Sequence, residues 1–259
     1  EIQFLRTIRD TYEKIPPKDF IYPKLVVGGH VRLDSDNVHK SVDTTDGVFK
    51  LFGVERTDLP PGMGRSPNWQ HQLLRAHRRI VMSPVGHSIK TVKNEEELII
   101  VLAEAMRCHS SLVSDCGILH RDISTNNILV VRDNGDSSAT PHGLLIDFDF
   151  AIKVDNTERK ARAERSGTLP FMSIANLLNL ECDRTALNDW ESLFYIVCWL
   201  ATIEINSKDR DEIGSDDKLP IFQWKEGHSE QIAKKKRLHM NSFSSFEDNI
   251  TNEFFGNRK

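Results

Sequence analysis

The segment Gly117-Ile118-Leu119-His120-Arg121-Asp122-Ile123-Ser124-Thr125-Asn126-Asn127-Ile128-Leu129-Val130 confines a polar loop between two apolar runs. Within it an acid, Asp122, stands five residues before an amide, Asn127. That is the H-R-D-x-x-x-x-N spacing of phosphoryl-transfer loops. The acid can orient or deprotonate a hydroxyl, and the amide oxygen is a hard ligand suited to Mg²⁺. Asp and Asn also favour turns with local side-chain bonds, so the pair alone admits a purely structural reading.

A chain of 259 residues can bury a sizeable core, as one large domain or two lobes. Hydrophobic residues at 39% and charged residues at 28% place it among soluble globular chains. The net charge of −4 gives no hint of nucleic-acid binding, and none is expected. Cys108, Cys116, Cys182 and Cys198 form no C-x-x-C pair. This argues against zinc and a disulfide framework, and for a reducing, intracellular compartment, cytoplasmic or nuclear. No apolar run reaches the ~20 residues of a membrane span, so no membrane partner is expected. The first six residues lack the apolar core of a signal peptide. The first residue is Glu1 rather than Met, and the chain is expected to begin inside a longer protein.

Residues 2–13 put Ile2, Leu5, Ile8 and Tyr12 at helical spacing, and Pro16-Pro17 ends the pattern. Phe20 to Leu33 is rich in β-formers around Gly28-Gly29 and reads as two short strands. Residues 34–70 are polar and contain Pro60-Pro61-Gly62-Met63-Gly64, a loop signature. Leu73 to Arg79 reads as a short basic helix, and Ile80-Val81-Met82 as a buried strand stopped by Ser83-Pro84-Val85-Gly86. Glu95 to Ser114 is the clearest helix, with Leu98, Leu102, Ala105, His109 and Leu112 on one face. Ile128 to Val131 and Leu144 to Ile146 are strands flanking a hairpin connection at 134–138. Trp190 to Ile203 is apolar nearly all round and reads as a buried core helix. Lys234-Lys235-Lys236-Arg237 reads as a solvated helix face rather than an import signal.

A second acid cluster, Asp147-Phe148-Asp149, follows the second hairpin strand. A carboxylate there, opposite Asn127, would complete a metal site for nucleotide phosphates. A basic segment at 159–165 leads to Gly167-Thr168-Leu169-Pro170-Phe171-Met172-Ser173, and Asp189 opens the core helix. In this order the chain resembles the fungal-type protein kinase family, a branch of the protein-kinase-like superfamily. The matching motifs are H-R-D-I-S-x-x-N-I at 120–128, I-D-F-D-x-A at 146–151, G-T-L-P-F-M-S at 167–173 and D-W-E-S-L-F-Y at 189–195. The resemblance runs from about Arg79 to Trp224.

The resemblance implies an α+β, bilobal protein-kinase-like fold, mostly the helical large lobe. Residues 1–82 would be a partial N-terminal lobe with an inserted loop, and 83–259 a C-terminal catalytic lobe truncated at its end. It implies ATP and Mg²⁺ as cofactors and a protein with Ser/Thr acceptors as substrate. Asp122 would be the catalytic base, and Asn127 and Asp147 the Mg²⁺ ligands. Arg121 would bridge to the activation segment, and Thr168 would shape the acceptor site beside Asp122. Asp189 would hold the backbone of the His120-Arg121 turn, and His120 would be structural. Residues 83–86 would be the adenine hinge, with Ser83 and Val85 against the base.

Four departures qualify this. Ser124 stands where a lysine often touches the γ-phosphate, and a hydroxyl brings no charge. Asp149 replaces a glycine, at a position where a residue tolerant of positive φ is expected. Ala175 replaces a glutamate that normally makes a buried ion pair. No glycine-rich loop and no phosphate lysine precede the match; Glu1 is a candidate for the glutamate that pairs with such a lysine, and both elements are expected upstream. Three functions compete: a Ser/Thr protein kinase, a small-molecule kinase of the choline or aminoglycoside type, and a catalytically weak or dead kinase-like binding module.

Overall fold

The computed structural model describes residues 1–30, 32–33, 41–42, 77–133, 136, 138–154, 167–178, 185–203 and 219–251. The chain divides into two compact units. The larger holds Gln3–Lys24 and Pro84–Lys259 together with Glu1, and the smaller holds Leu25–Ser83 together with Ile2.

The smaller unit is built from short strands. β1 (Lys24–His30) pairs with β4 (Arg78–Ser83), and β2 (Arg32–Leu33) pairs antiparallel with β3 (Ser41–Val42). β1 runs through Gly28 and Gly29 instead of breaking there. A Cβ at Gly28 would stand 3.3 Å from the end of the Leu25 side chain, a tight approach within a strand and not at a turn. β4 is a strand as expected, but it is not buried. Val81 is exposed and Ile80 and Met82 are half-buried; among the described residues β4 pairs with β1 alone. Arg78 and Arg79 belong to this strand and not to a helix. The Pro60–Gly64 loop and residues 73–76 lie outside the described residues.

In the larger unit, α1 (Ile2–Tyr12) buries Leu5, Ile8 and Tyr12 on one face, as their spacing requires. The Tyr12 ring meets Tyr22 and Phe20, and its hydroxyl reaches Asp115 Oδ2 at 3.4 Å. β5 (His87–Ser88) leads to α2 (Glu95–Cys116). Asn94 caps α2 by accepting the Glu97 N–H at 2.9 Å, and three glutamates in the first turn suit the helix dipole. Gly117, at φ 61°, ends it.

Then come β6 (Ile118–Leu119), β7 (Ile128–Val131), β8 (His142–Leu145) and β9 (Ile152–Lys153). β5, β7 and β8 form a three-stranded sheet with Ile128 opposite Leu145, and β6 pairs with β9. α2 lies directly on β8. A Cβ on Gly143 would collide with the Val101 carbonyl oxygen and come within 3.1 Å of the Ala105 nitrogen. The expected hairpin is therefore present, with a helix seated on its back.

The remaining described elements of this unit are helical. α3 (Ile174–Leu177) follows a 3₁₀ turn at Leu169–Phe171, and α4 (Ala186–Ile203) crosses the core. A 3₁₀ turn at Pro220–Trp224, α5 (Ser229–His239), α6 (Phe243–Phe246) and a π-turn at Glu247–Thr251 follow among the described residues. α4 is less buried than its composition suggests. Leu193, Tyr195, Ile196, Cys198 and Leu200 are buried, but Leu187, Trp190, Phe194 and Val197 form an exposed stripe at helical spacing. It meets α2 and the 3₁₀ turn at 169–171, and Trp190 stands edge-on to the His109 ring of α2. The architecture is mixed helix and strand with small sheets, an α+β class. Among the described residues no helix is long and apolar enough to cross a membrane.

Candidate active site

The loop between β6 and β7 is fixed from beneath by Asp189, in the first turn of α4. Its buried carboxylate accepts the backbone N–H of His120 at 3.1 Å and that of Arg121 at 3.1 Å. His109 Nε2, from α2, lies 2.8 Å from the same carboxylate. This is the contact the resemblance implies. Arg121 sits at φ 71°, in the left-handed region, and these bonds compensate that backbone strain. His120 is packed, not catalytic. Its Nδ1 accepts the Asp122 N–H, so Nε2 carries the proton toward the Ile146 carbonyl at 3.0 Å. Burial pushes its pKa down, which keeps the ring neutral. The Phe148 ring, fully buried, lies 5.0 Å away.

Asp122 is gripped from two sides. Oδ1 accepts both the N–H and the hydroxyl of Thr168 at 3.1 Å. The Asn127 amide nitrogen donates to the Asp122 carbonyl at 2.9 Å and reaches Oδ2 at 3.2 Å. Gly167, at φ 125°, makes the approach of this segment possible, because L side chains rarely adopt that conformation. With its nitrogen committed, Asn127 turns its amide oxygen away from Asp122, and that oxygen has no hydrogen-bond partner among the described residues. Ser124 is buried, and its hydroxyl likewise has no partner among the described residues.

Asp147 is brought beside Asn127 by the sheet. The Ile146 N–H donates to the Asn127 carbonyl at 2.9 Å, one residue beyond the Ile128–Leu145 pair. The positive φ of the D-F-D turn falls on Asp147, at 66°, and not on Asp149. The expected need for a residue tolerant of positive φ at 149 is therefore overturned; the Asp149 N–H instead donates to Asp147 Oδ1 at 3.2 Å. Glu1, Asp147 and Asp149 place one carboxylate oxygen each within 4.8 Å of one another. Burial and then the two aspartates push the Glu1 carboxyl pKa up. The free amide oxygen of Asn127 and the Asp147 carboxylate are a donor set of hard oxygens that fits Mg²⁺.

Val85 is 82% exposed, two residues before β5, and Ser83 is the last residue of β4. The Arg121 side chain is buried. Residues 155–166, which it would meet, lie outside the described residues.

One functional candidate escaped the sequence reading. Lys236 is wholly buried, a correction at that one residue to the expected solvated basic face at 234–237, where Lys234 and Arg237 are exposed. Ile232, Ala233, Lys236 and His239 are the buried positions of α5, so helical periodicity alone places Lys236 in the apolar stripe. Its ammonium donates to the Met172 carbonyl at 2.7 Å. Next to Ala175 the glutamate of α4 is committed to other partners. Glu191 accepts the Ile174 N–H at 2.8 Å and the Tyr195 hydroxyl at 2.6 Å.

The fungal protein kinase family matches residues 23–201, more than half of the chain. The match begins upstream of Arg79, so the β-rich stretch around Gly28 belongs to it, and it ends before Trp224. No curated protein matches the chain. The loop held by Asp189, the acid–amide pair at 122 and 127, and the acid at 147 all fall within the matched span. The chain belongs to the fungal protein kinase family.

Proposed function

We propose that the chain is an ATP-dependent protein kinase that phosphorylates Ser/Thr hydroxyls of proteins, acting inside the cell in the cytoplasm or nucleus. The observation that carries this reading is the Asp122 carboxylate, oriented by Thr168 at 3.1 Å and by Asn127 at 3.2 Å. In the reaction the acceptor oxygen bonds to the γ-phosphorus, the bond to the β–γ bridging oxygen breaks, and the acceptor proton passes to Asp122. Oδ1 already receives two donors, so Oδ2 is the oxygen that takes the acceptor hydroxyl. Asn127 and Asp147 would hold Mg²⁺, which neutralises phosphate charge when bound. Arg121 would link the loop to the activation segment. Ser83 and Val85 would offer backbone groups to adenine, within a two-lobed arrangement of a partial N-terminal lobe (1–82) and a catalytic lobe (83–259).

A second reading, a nucleotide-binding module with little turnover, is favoured by Ser124, which brings no cation to the loop and is buried. Transfer of label from Mg-ATP to a mixed protein substrate, with Asp122→Asn as control, separates the readings. Protein labelling lost in the variant supports the kinase. ATP binding without labelling supports the module, and labelling confined to small hydroxyl compounds sinks both in favour of a small-molecule kinase.

A further inference from the structure

The segment that orients Asp122 is itself held by a charge that no motif announces. Thr168 accepts the Phe171 N–H at 2.9 Å and the Met172 N–H at 3.0 Å, which closes one tight turn. The carbonyl of Met172, at the far end of that turn, receives the Lys236 ammonium at 2.7 Å. A continuous line of hydrogen bonds therefore runs from Lys236 through Met172 and Thr168 to Asp122 Oδ1. Two residues further on, Glu191 holds the Ile174 N–H from α4.

The surroundings of Lys236 are those of a cation held on purpose. Its nitrogen lies 3.7 Å from the centre of the Tyr195 ring and 5.3 Å from that of Trp224. Burying an ammonium is costly unless it is well partnered, and these rings and one carbonyl are its partners. Glu191 and Cys198 of α4 are the ionisable groups that favour its charge.

We infer that Lys236 is a positioning residue for phosphoryl acceptance: its charged side chain grips the Met172 carbonyl and so sets Thr168 against Asp122. This rests on the kinase reading for its catalytic meaning, but the grip itself does not. Burial lowers the Lys236 pKa to about 7, so the charge is lost as pH rises through neutrality. A neutral amine still donates a hydrogen bond, but about half as strongly. The unfolded chain keeps its Lys236 charged to a higher pH, so this group adds stability as pH rises from about 7. Stability and positioning thus respond to pH in opposite directions. The other ionisable groups around it behave differently: burial pushes the Cys198 thiol up to about 12 and the Tyr195 phenol higher still, and the His239 pKa down.

The test has a structural arm and a catalytic arm. Hydrogen exchange at the amides of residues 171–172, corrected for intrinsic rate, is measured in the wild type at pH 6 and pH 8, and in Lys236→Met and Lys236→Arg at pH 6. Exchange is expected to rise about tenfold from pH 6 to pH 8 in the wild type, and to be about tenfold faster in Lys236→Met than in the wild type at pH 6, while α2 stays protected. Lys236→Arg, which keeps the charge, is expected to restore protection. Wild-type protection of these amides in Lys236→Met at pH 6, with α2 equally protected in both proteins, overturns the inference. In the catalytic arm, Lys236→Met raises the KM for protein acceptor about tenfold and leaves the KM for ATP unchanged. An equal rise in both constants also overturns it. Absence of all phosphoryl transfer in the wild type instead counts against the kinase reading, and the exchange result still decides the grip.

Discussion

Asp189 and Arg121 are 68 residues apart, yet both carboxylate oxygens of the first lie 3.1 Å from the backbone nitrogen of the second. The same carboxylate serves His120 and His109. Replacing Asp189 with Ala strands two buried N–H groups and the His109 ring at once. Loss of about 3–5 kcal/mol is expected, read as a lower urea midpoint with an unchanged m-value. Asp189→Asn retains an acceptor and should lose less than half as much.

Asp122→Asn is expected to reduce phosphoryl transfer by about 10²–10⁴-fold, the usual worth of a positioned acid or base. Its melting temperature should stay within a few degrees of wild type, because an amide can still accept from Thr168. Thr168→Ala removes the hydroxyl donor but keeps the backbone one, so a fall of about tenfold in kcat is expected. Steady-state kinetics on both variants rank the two contacts. A Thr168→Ala loss equal to that of Asp122→Asn would contradict the ranking.

At Gly143 the sheet leaves no room for a side chain beneath α2. Gly143→Ala should destabilise by about 1–3 kcal/mol or more, since the obstruction is backbone and cannot rotate away. Gly29, in β1, has open space around the corresponding position. Gly29→Ala should cost nothing measurable, so paired thermal melts test packing against general dislike of substitution.

The Glu1 carboxyl has its pKa raised by burial and by Asp149 and Asp147. The unfolded chain ionises it nearer the ordinary 4.5, so ionisation in the folded state is unfavourable, and stability is lost as pH climbs through the folded pKa. Glu1→Gln should match wild type below pH ~4.5, exceed it increasingly from there to the folded pKa, and exceed it by a constant margin above that. Denaturant melts in chelator across that range provide the check. A stability difference independent of pH would show that another contact decides it.

Local features were the legible ones. The acid–amide loop, the α2 face and the β7–β8 hairpin are written in contiguous residues, whose periodicity and turn chemistry act over a few positions. The Asp189 contact was reachable only through the order of motifs, because nothing in a pattern of single residues says which distant carboxylate will meet a turn. Lys236 was misread for a related reason. Four consecutive basic residues look like a solvated face, but a helix turns 100° per residue and sends one of them inward. The exposed stripe on α4 and the open β4 went the same way: apolar composition says a segment can be buried, while neighbours decide which of its sides is.

The carboxylate of Asp122 in free solution has two interchangeable oxygens. Here one is claimed by a residue 46 positions downstream and the other by an amide five positions on. A half-turn about the Cβ–Cγ bond no longer returns the group to itself, because it would ask Thr168 and Asn127 to exchange partners. A symmetric side chain has acquired a left and a right. Whatever hydroxyl approaches it meets one oxygen only, from one side, before any chemistry begins.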